Sequence, residues 1–155
     1  HCESSAASDV YKRQALPVHL DEVDLSTVFD YAATFDTEYV TYLKDAIRYW
    51  VKEGYEERDD CKILQTEYSM VSGIGTAFVR QNSDGSVHLS RFTTSHKGKG
   101  LGSRVFSSLK LKYGKVTLWS NPEAMEFYKR NGVTFTEETT DVEGSIYTYG
   151  YYENV

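Results

Sequence analysis

The sequence predicts one α/β domain: a mixed, mostly antiparallel central sheet with helices on both faces. Three observations lead there. Two amphipathic helical stripes open the chain, and a meander of β-branched and aromatic segments follows. The second half then alternates strand, glycine turn, helix, strand and helix before a closing pair of strands. No internal repeat, low-complexity tract or long linker divides it.

Taken in order, Leu16 to Leu20 reads as a short first strand. Leu25, Val28, Phe29, Ala32 and Ala33 recur at i, i+3, i+4, i+7 and i+8, the stripe of a helix for which Asp24 is the N-cap. A second helix is expected from about Asp36 to Glu53, with Tyr39, Leu43, Ala46 and Trp50 on one face and Gly54 as its stop. Lys62 to Met70 and Ile74 to Gln81 have strand composition, Asn82-Ser83-Asp84-Gly85 has hairpin chemistry, and Ser86 to Thr93 returns as a strand. After a glycine-rich turn, Leu101, Val105 and Leu109 mark a helix ended by Gly114, with Lys110 and Lys112 in its last turn to complement the dipole. Val116 to Trp119 is a strand. Asn121, Pro122 and Glu123 then open a helix that Asn131-Gly132 closes. Thr134 to Glu138 and Ser145 to Tyr152 complete the sheet.

Composition narrows the classes. The 155 residues, 40% hydrophobic and 26% charged, supply one core without help from disulfides or metals. Cys2 and Cys61 make neither a disulfide framework nor a zinc spacing, so no metal is expected. A formal charge of −6 argues against nucleic acid as partner. No apolar run approaches the roughly 18–20 residues of a membrane span, and no secretory leader is legible, so a cytoplasmic setting without membrane attachment is expected. The segment Asp9-Val10-Tyr11-Lys12-Arg13-Gln14 resembles the translation of a transposon end used in preparing DNA sequencing libraries. Residues 1–14 are therefore expected to be a library scar and 15–155 the domain.

Lys97-Gly98-Lys99-Gly100-Leu101-Gly102-Ser103 lies between a strand and a helix. Glycines there let backbone N–H groups approach a ligand, and the helix N-terminus adds partial positive charge. The turn reads as a pyrophosphate cradle flanked by two lysines. It is not the triphosphate loop, which needs G-x-x-x-x-G-K-[ST], nor the dinucleotide fingerprint G-x-G-x-x-G.

It does match K/R/Q-x-x-G-x-G, and further along Asn121, Ala124, Tyr128 and Gly132 match N-x-x-A-x-x-x-Y-x-x-x-G. In both segments the chain resembles the GNAT superfamily of N-acetyltransferases, most sharply from Leu89 to Gly132. The resemblance implies a single-domain GNAT-like fold with a splayed cofactor cleft and acetyl-CoA as co-substrate. It implies that backbone groups of Ser90, Arg91 and Phe92 pair with the pantetheine arm as an added strand would. Lys97, Gly98, Lys99, Gly100, Leu101, Gly102 and Ser103 would hold the pyrophosphate. Asn121 would touch the cofactor arm or order the local backbone, and Tyr128 would face the thioester sulfur as general acid.

The chemistry needs a base as well, because an amine of pKa about 10.4 is mostly protonated at neutral pH. Many relatives carry a glutamate on the strand before the turn or the strand after it. Val87 to Thr94 and Val116 to Trp119 contain no carboxylate. His88 is a water-mediated alternative, Glu67 a more remote one, and water alone a third. Plainer roles stand beside these: Asn121 is a good helix cap, Tyr128 shares a helical face with Ala124, Arg91 suits an ion pair, and Cys61 is a small buried hydrophobe. The acidic run from Glu56 to Asp60 is solvated loop or an attraction for a cationic acceptor. The resulting expectation is transfer of an acetyl group to a primary amine of a small molecule or peptide, by a monomer or homodimer. A non-catalytic acyl-CoA sensor of the same fold is the alternative.

Overall fold

The structure, a computed structural model, describes residues 15–32 and 37–154. Cys2, the expected scar, and Ala33 and Asp36 of the two helical stripes lie outside the described residues. The elements are β1 (Asp21–Val23), α1 (Leu25–Ala32), α2 (Thr37–Lys52), β2 (Cys61–Gln65), β3 (Gly75–Gln81), β4 (Val87–Thr94), α3 (Leu101–Tyr113), β5 (Lys115–Ser120), α4 (Met125–Arg130), β6 (Thr134–Val142) and β7 (Ser145–Glu153). One seven-stranded sheet runs in the order β1-β2-β3-β4-β5-β7-β6. Every neighbouring pair is antiparallel except β4 and β5, which α3 connects as a crossover.

Helices lie on both faces because each presents one apolar stripe. Leu43, Ala46, Ile47 and Trp50 of α2 pack with Val28 of α1 over Ile63 and Phe78. The Trp50 ring meets Phe78 edge-on at 5.5 Å. The opposite face carries Val105, Phe106 and Leu109 of α3 and Tyr128 of α4 over Val79, Leu89, Val116 and Leu118. Burial of this kind stabilises by roughly 1.5–3 kcal/mol per large apolar side chain. Asp24 caps α1 as expected: its Oδ1 accepts the Thr27 N–H at 2.9 Å, and such bonds hold its carboxyl below the usual carboxylate range.

Two expectations are corrected, and two hold with added detail. Leu16 to Leu20 is not a strand, because its backbone finds α3 instead of the sheet. The Val18 N–H donates to Ser108 Oγ at 2.7 Å, and Arg104 Nε donates to the Leu16 carbonyl at 3.1 Å. The first strand is Asp21–Val23. The strand expected to reach Met70 stops at Gln65, and the exposed Met70 and Val71 sit in a tight turn closed by the Ser69–Gly73 bridge. The helix after Asn121 opens with Asn121 as N-cap and Pro122 in its first turn as expected, but that turn, Pro122–Ala124, is 3-10 before α4. Lys110 and Lys112 do lie in the last turn of α3, but Lys110 is not solvated there. It is buried, donates to the Asn131 carbonyl at 2.9 Å, and lies 4.9 Å from the Tyr152 ring, so burial pushes its pKa down.

Candidate active site

The site starts from one extra residue. The β3–β4 register passes from Phe78↔Arg91 to Val79↔Leu89, leaving Ser90 as a bulge. Bulges bend a strand and end pairing, and here β4 pairs with β5 only from Val87 to Leu89, although β4 runs on to Thr94. The two strands splay apart beyond Leu89, so the edge of β4 offers backbone groups to a ligand.

That edge leads into the glycine turn. Gly98 and Gly100 have φ of 74° and 79°, the left-handed region that favours glycine, and a Cβ built on either would meet nothing within 4 Å. The space over the turn is therefore open. Gly100 is the N-cap of α3 and has no side chain to satisfy the first helical N–H groups; the Arg104 N–H to Gly100 carbonyl bond starts the ladder. The N–H groups of Leu101, Gly102 and Ser103 form the anion-facing end of a 13-residue helix. Gly102 has a different reason to be glycine: a Cβ there would stand 3.3 Å from the Phe127 ring. The Ser103 hydroxyl accepts from Asn131 Nδ2 at 3.2 Å, so only its backbone faces the turn. Leu101 is buried. Lys97 reaches across to Glu38 of α2 at 3.0 Å, with both side chains about 80% exposed (79% and 80%), so the pair contributes at most about 1 kcal/mol and exchanges readily.

A cleft of about 730 Å³ follows β4 from Phe92 through the turn to Gly102. Glu38, Tyr39 and Tyr42 of α2 form one wall, and Glu123, Phe127 and Arg130 form the other. Its size suits a ligand well beyond a single small ion. Sequence reasoning assigned Tyr39 to the core and left out Glu38, Tyr42, Phe127 and Arg130. Only proximity in the fold joins them to the turn. His96, immediately before Lys97, also lines the cleft and shares a 2.8 Å hydrogen bond with Ser95 Oγ.

The remaining expected site residues fall in different places. The Ser90 hydroxyl accepts from Arg80 Nε at 3.3 Å, and Arg91 lies 5.0 Å from the Tyr49 ring, so both side chains occupy the α2 face. Phe92 points the other way and stacks on Phe127 at 6.0 Å. Asn121 orders the local backbone: its Oδ1 accepts the Ala124 N–H at 2.9 Å. Tyr128 is buried among Phe106 and Phe127. Burial, and then the Tyr42 hydroxyl, push its phenol well above the ordinary value. Cys61 is half-buried and its thiol is raised to about 11 by burial, then by Asp60, which leaves it unreactive. Within the acidic run, Arg58 pairs with Asp60. Glu67 is exposed in the turn beyond β2 and does not line the cleft.

His88 loses the base role. It sits at the paired end of the splay, where its Nδ1 shares a 2.8 Å hydrogen bond with Thr117 Oγ1 of β5. Burial, and then Arg80, lower its pKa to about 4. Such an imidazole is neutral at pH 7, but its basicity is too low to take a proton from an ammonium. Its effect is on stability. Above pH 6.5 it is neutral in both the folded and unfolded chain. Between 6.5 and 4 the unfolded chain binds a proton that the native state refuses. Stability should therefore fall with pH across that window, by up to about 3 kcal/mol at pH 4. Urea midpoints at pH 7, 5.5 and 4.5 should drop for the wild type and drop less for His88→Asn. Parallel curves would assign the acid loss to other groups.

No family model and no curated protein matches the sequence. Solved structures do match. One is a histone acetyltransferase HPA2 and related acetyltransferase from Corynebacterium glutamicum, with TM-score 0.63 and 12% identity over 91% of this chain and 98% of that one. A GNAT family acetyltransferase from Elizabethkingia anophelis with acetyl-CoA bound gives 0.54 and 13% over 87% and 97%. An acetyltransferase from Bacillus anthracis in complex with acetyl coenzyme A gives 0.52 and 15%, and there the match spans 65% of this chain and only 66% of the other. The seven-stranded mixed sheet is the GNAT fold.

Proposed function

We propose that this chain is a GNAT N-acetyltransferase that binds acetyl-CoA along the open edge of β4 and transfers the acetyl group to a primary amine. The observation that carries the reading is the continuity of three features: the Ser90 bulge, the splay beyond Leu89, and the glycine turn with the uncapped N-terminus of α3. The turn is suited to a pyrophosphate, with Lys97 and Lys99 beside it. The exposed β4 backbone is suited to the amides of a pantetheine arm.

In the reaction the amine nitrogen bonds to the thioester carbon, the C–S bond breaks, and the proton lost by the amine is balanced by the one the thiolate gains. A β4 N–H is the natural donor to the transient oxyanion. Tyr128 is assigned as the acid group facing the thiolate, giving it a hydrogen bond as charge builds on sulfur. The amine is assigned to attack in its neutral form, with water relaying its proton, since β4 carries no carboxylate and His88 is held by Thr117 and too weakly basic. The same two facts favour a second reading, an acyl-CoA sensor without turnover.

Release of free thiol from acetyl-CoA, measured over a panel of peptide N-termini, lysines, polyamines, aminoglycosides and amino acids, separates the two. Amine-dependent release is expected. Tight acetyl-CoA binding with no release on any amine would move the assignment to the sensor, and no binding at all would remove both.

A further inference from the structure

On the α2 face of the sheet, β3 and β4 carry two arginines that the reaction above does not use. Arg80 lies 5.1 Å from the Tyr55 ring and Arg91 lies 5.0 Å from the Tyr49 ring. Both are part-buried. Among the described residues neither forms an ion pair with a carboxylate. Arg80 Nε donates to Ser90, whereas Arg91 Nε is buried without a hydrogen-bond partner. Glu53, just past α2, is felt by the Tyr49 hydroxyl yet pairs with neither arginine. Cation–π contact offsets only part of what a guanidinium loses on leaving water.

Their position gives this charge a use. Arg91 follows the bulged Ser90, at the point where β4 leaves β5. Among the described residues, the core beneath α1 and α2 includes none of β5, β6 or β7, while α2 reaches as far as β4. Beyond them Trp119 of β5 and Tyr149 of β7 pack edge-on at 5.2 Å and remain part-exposed. Trp119 shares the face of Thr117, the partner of His88, because side chains two apart on a strand point the same way. On this face the arginines of β3 and β4 therefore stand on one side of the β4–β5 splay and the Trp119–Tyr149 pair on the other.

We propose that the acceptor is a small amine carrying an anionic group, a carboxylate or phosphate, that binds Arg91 with Arg80 behind it, while its apolar part lies on Trp119 and Tyr149. The proposal rests on the acetyltransferase reading and narrows its substrate. A guanidinium without a resident anion is a receptor for a planar or tetrahedral oxyanion. A polycationic acceptor would meet like charge there.

Paired probes test it: phenylalanine against phenylalaninamide and phenethylamine for a carboxylate, and phosphoethanolamine against ethanolamine for a phosphate. The wild type should favour the anionic member of one pair by roughly 10²-fold in kcat/KM. Arg91→Gln should reduce that ratio at least 10-fold, and Arg91→Lys should restore part of it. Because the readout is a ratio within each variant, a general loss of activity does not imitate the result. Binding gives a second readout that needs no turnover. With CoA present, N-acetylphenylalanine should raise the melting temperature of the wild type more than N-acetylphenylalaninamide does, or phosphoethanolamine more than ethanolamine, and Arg91→Gln should remove the difference. Preference for neutral or polycationic amines, an unchanged ratio in Arg91→Gln, or equal melting shifts for both members of each pair would overturn the proposal. Thiol release with those amines would still leave the acetyltransferase reading standing.

Discussion

Acetyl-CoA is expected to raise the melting temperature of this protein by roughly 5–10 °C at a hundredfold excess over its dissociation constant, and Gly100→Glu is expected to erase the rise. A ligand at that excess adds about 2.7 kcal/mol to the folded state, and in a domain of this size each kcal/mol moves the midpoint by about 2–4 °C. The glutamate would put a side chain and a negative charge into open space directly over the first N–H groups of α3. It would also strain the backbone, because Gly100 has φ of 79°, at a cost of about 1–2 kcal/mol. Strain alone lowers the midpoint of the free protein without touching the ligand-dependent shift. Gly54→Glu provides the matched control: its φ is 72°, its surroundings are equally open, and it lies outside the cleft. That variant should melt lower than wild type yet keep the full acetyl-CoA shift. Adenosine triphosphate should stabilise the wild type far less, since it lacks the arm that would follow β4. Equal stabilisation by the two nucleotides, or a shift that survives in Gly100→Glu, would count against the pyrophosphate site.

The parts of the fold legible in the sequence are those written in local chemistry. Asp24, Asn121 and Gly114 mark helix ends through capping that involves residues within four positions, and the stripe through Leu43, Ala46 and Trp50 needs only helical period. The glycine turn was legible for the same reason: its conformational demand and its ligand chemistry fall on consecutive residues. What stayed hidden depends on partners distant in sequence. Leu16 to Leu20 has strand composition, but its hydrogen bonds go to Ser108 and Arg104, some 90 positions away (90 and 88). The place of Lys110 in the last turn of α3 was legible, but not its burial under Asn131 and Tyr152. The Ser90 bulge leaves no mark in composition: the splay of β4 from β5 was expected only through the family resemblance, and the contact of Arg91 with Tyr49 had no signal at all. His88 shows the limit most clearly. Its ordinary pKa near 6.5 recommended it as a base, and only its burial against Thr117 and Arg80 removes that use.

Tyr128→Phe is expected to lower the turnover number by roughly 10- to 1000-fold while changing acetyl-CoA affinity by less than about 1 kcal/mol. The substitution removes one oxygen and keeps the ring between Phe106 and Phe127, so packing is preserved. A loss confined to turnover is the signature of an interaction made mainly in the transition state. The raised pKa of the phenol places the effect toward the lower end of the range. Giving a proton to a thiolate, whose own pKa is about 8.5 in an ordinary thiol, is uphill for a buried phenol. Its contribution is therefore a hydrogen bond that tightens as charge builds on sulfur, for which water substitutes in part. The same burial sets the pH dependence. The protonated phenol is the active form and burial favours it, so loss of this acid should begin only above pH 10 in the free enzyme. The kcat/KM profile should then stay flat through pH 9 on the Tyr128 account. Steady-state kinetics with saturating acetyl-CoA on any accepted amine would test both points. An unchanged turnover number with chemistry shown to be rate-limiting would leave Tyr128 as a packing residue of α4, and would hand the thiolate's proton to water.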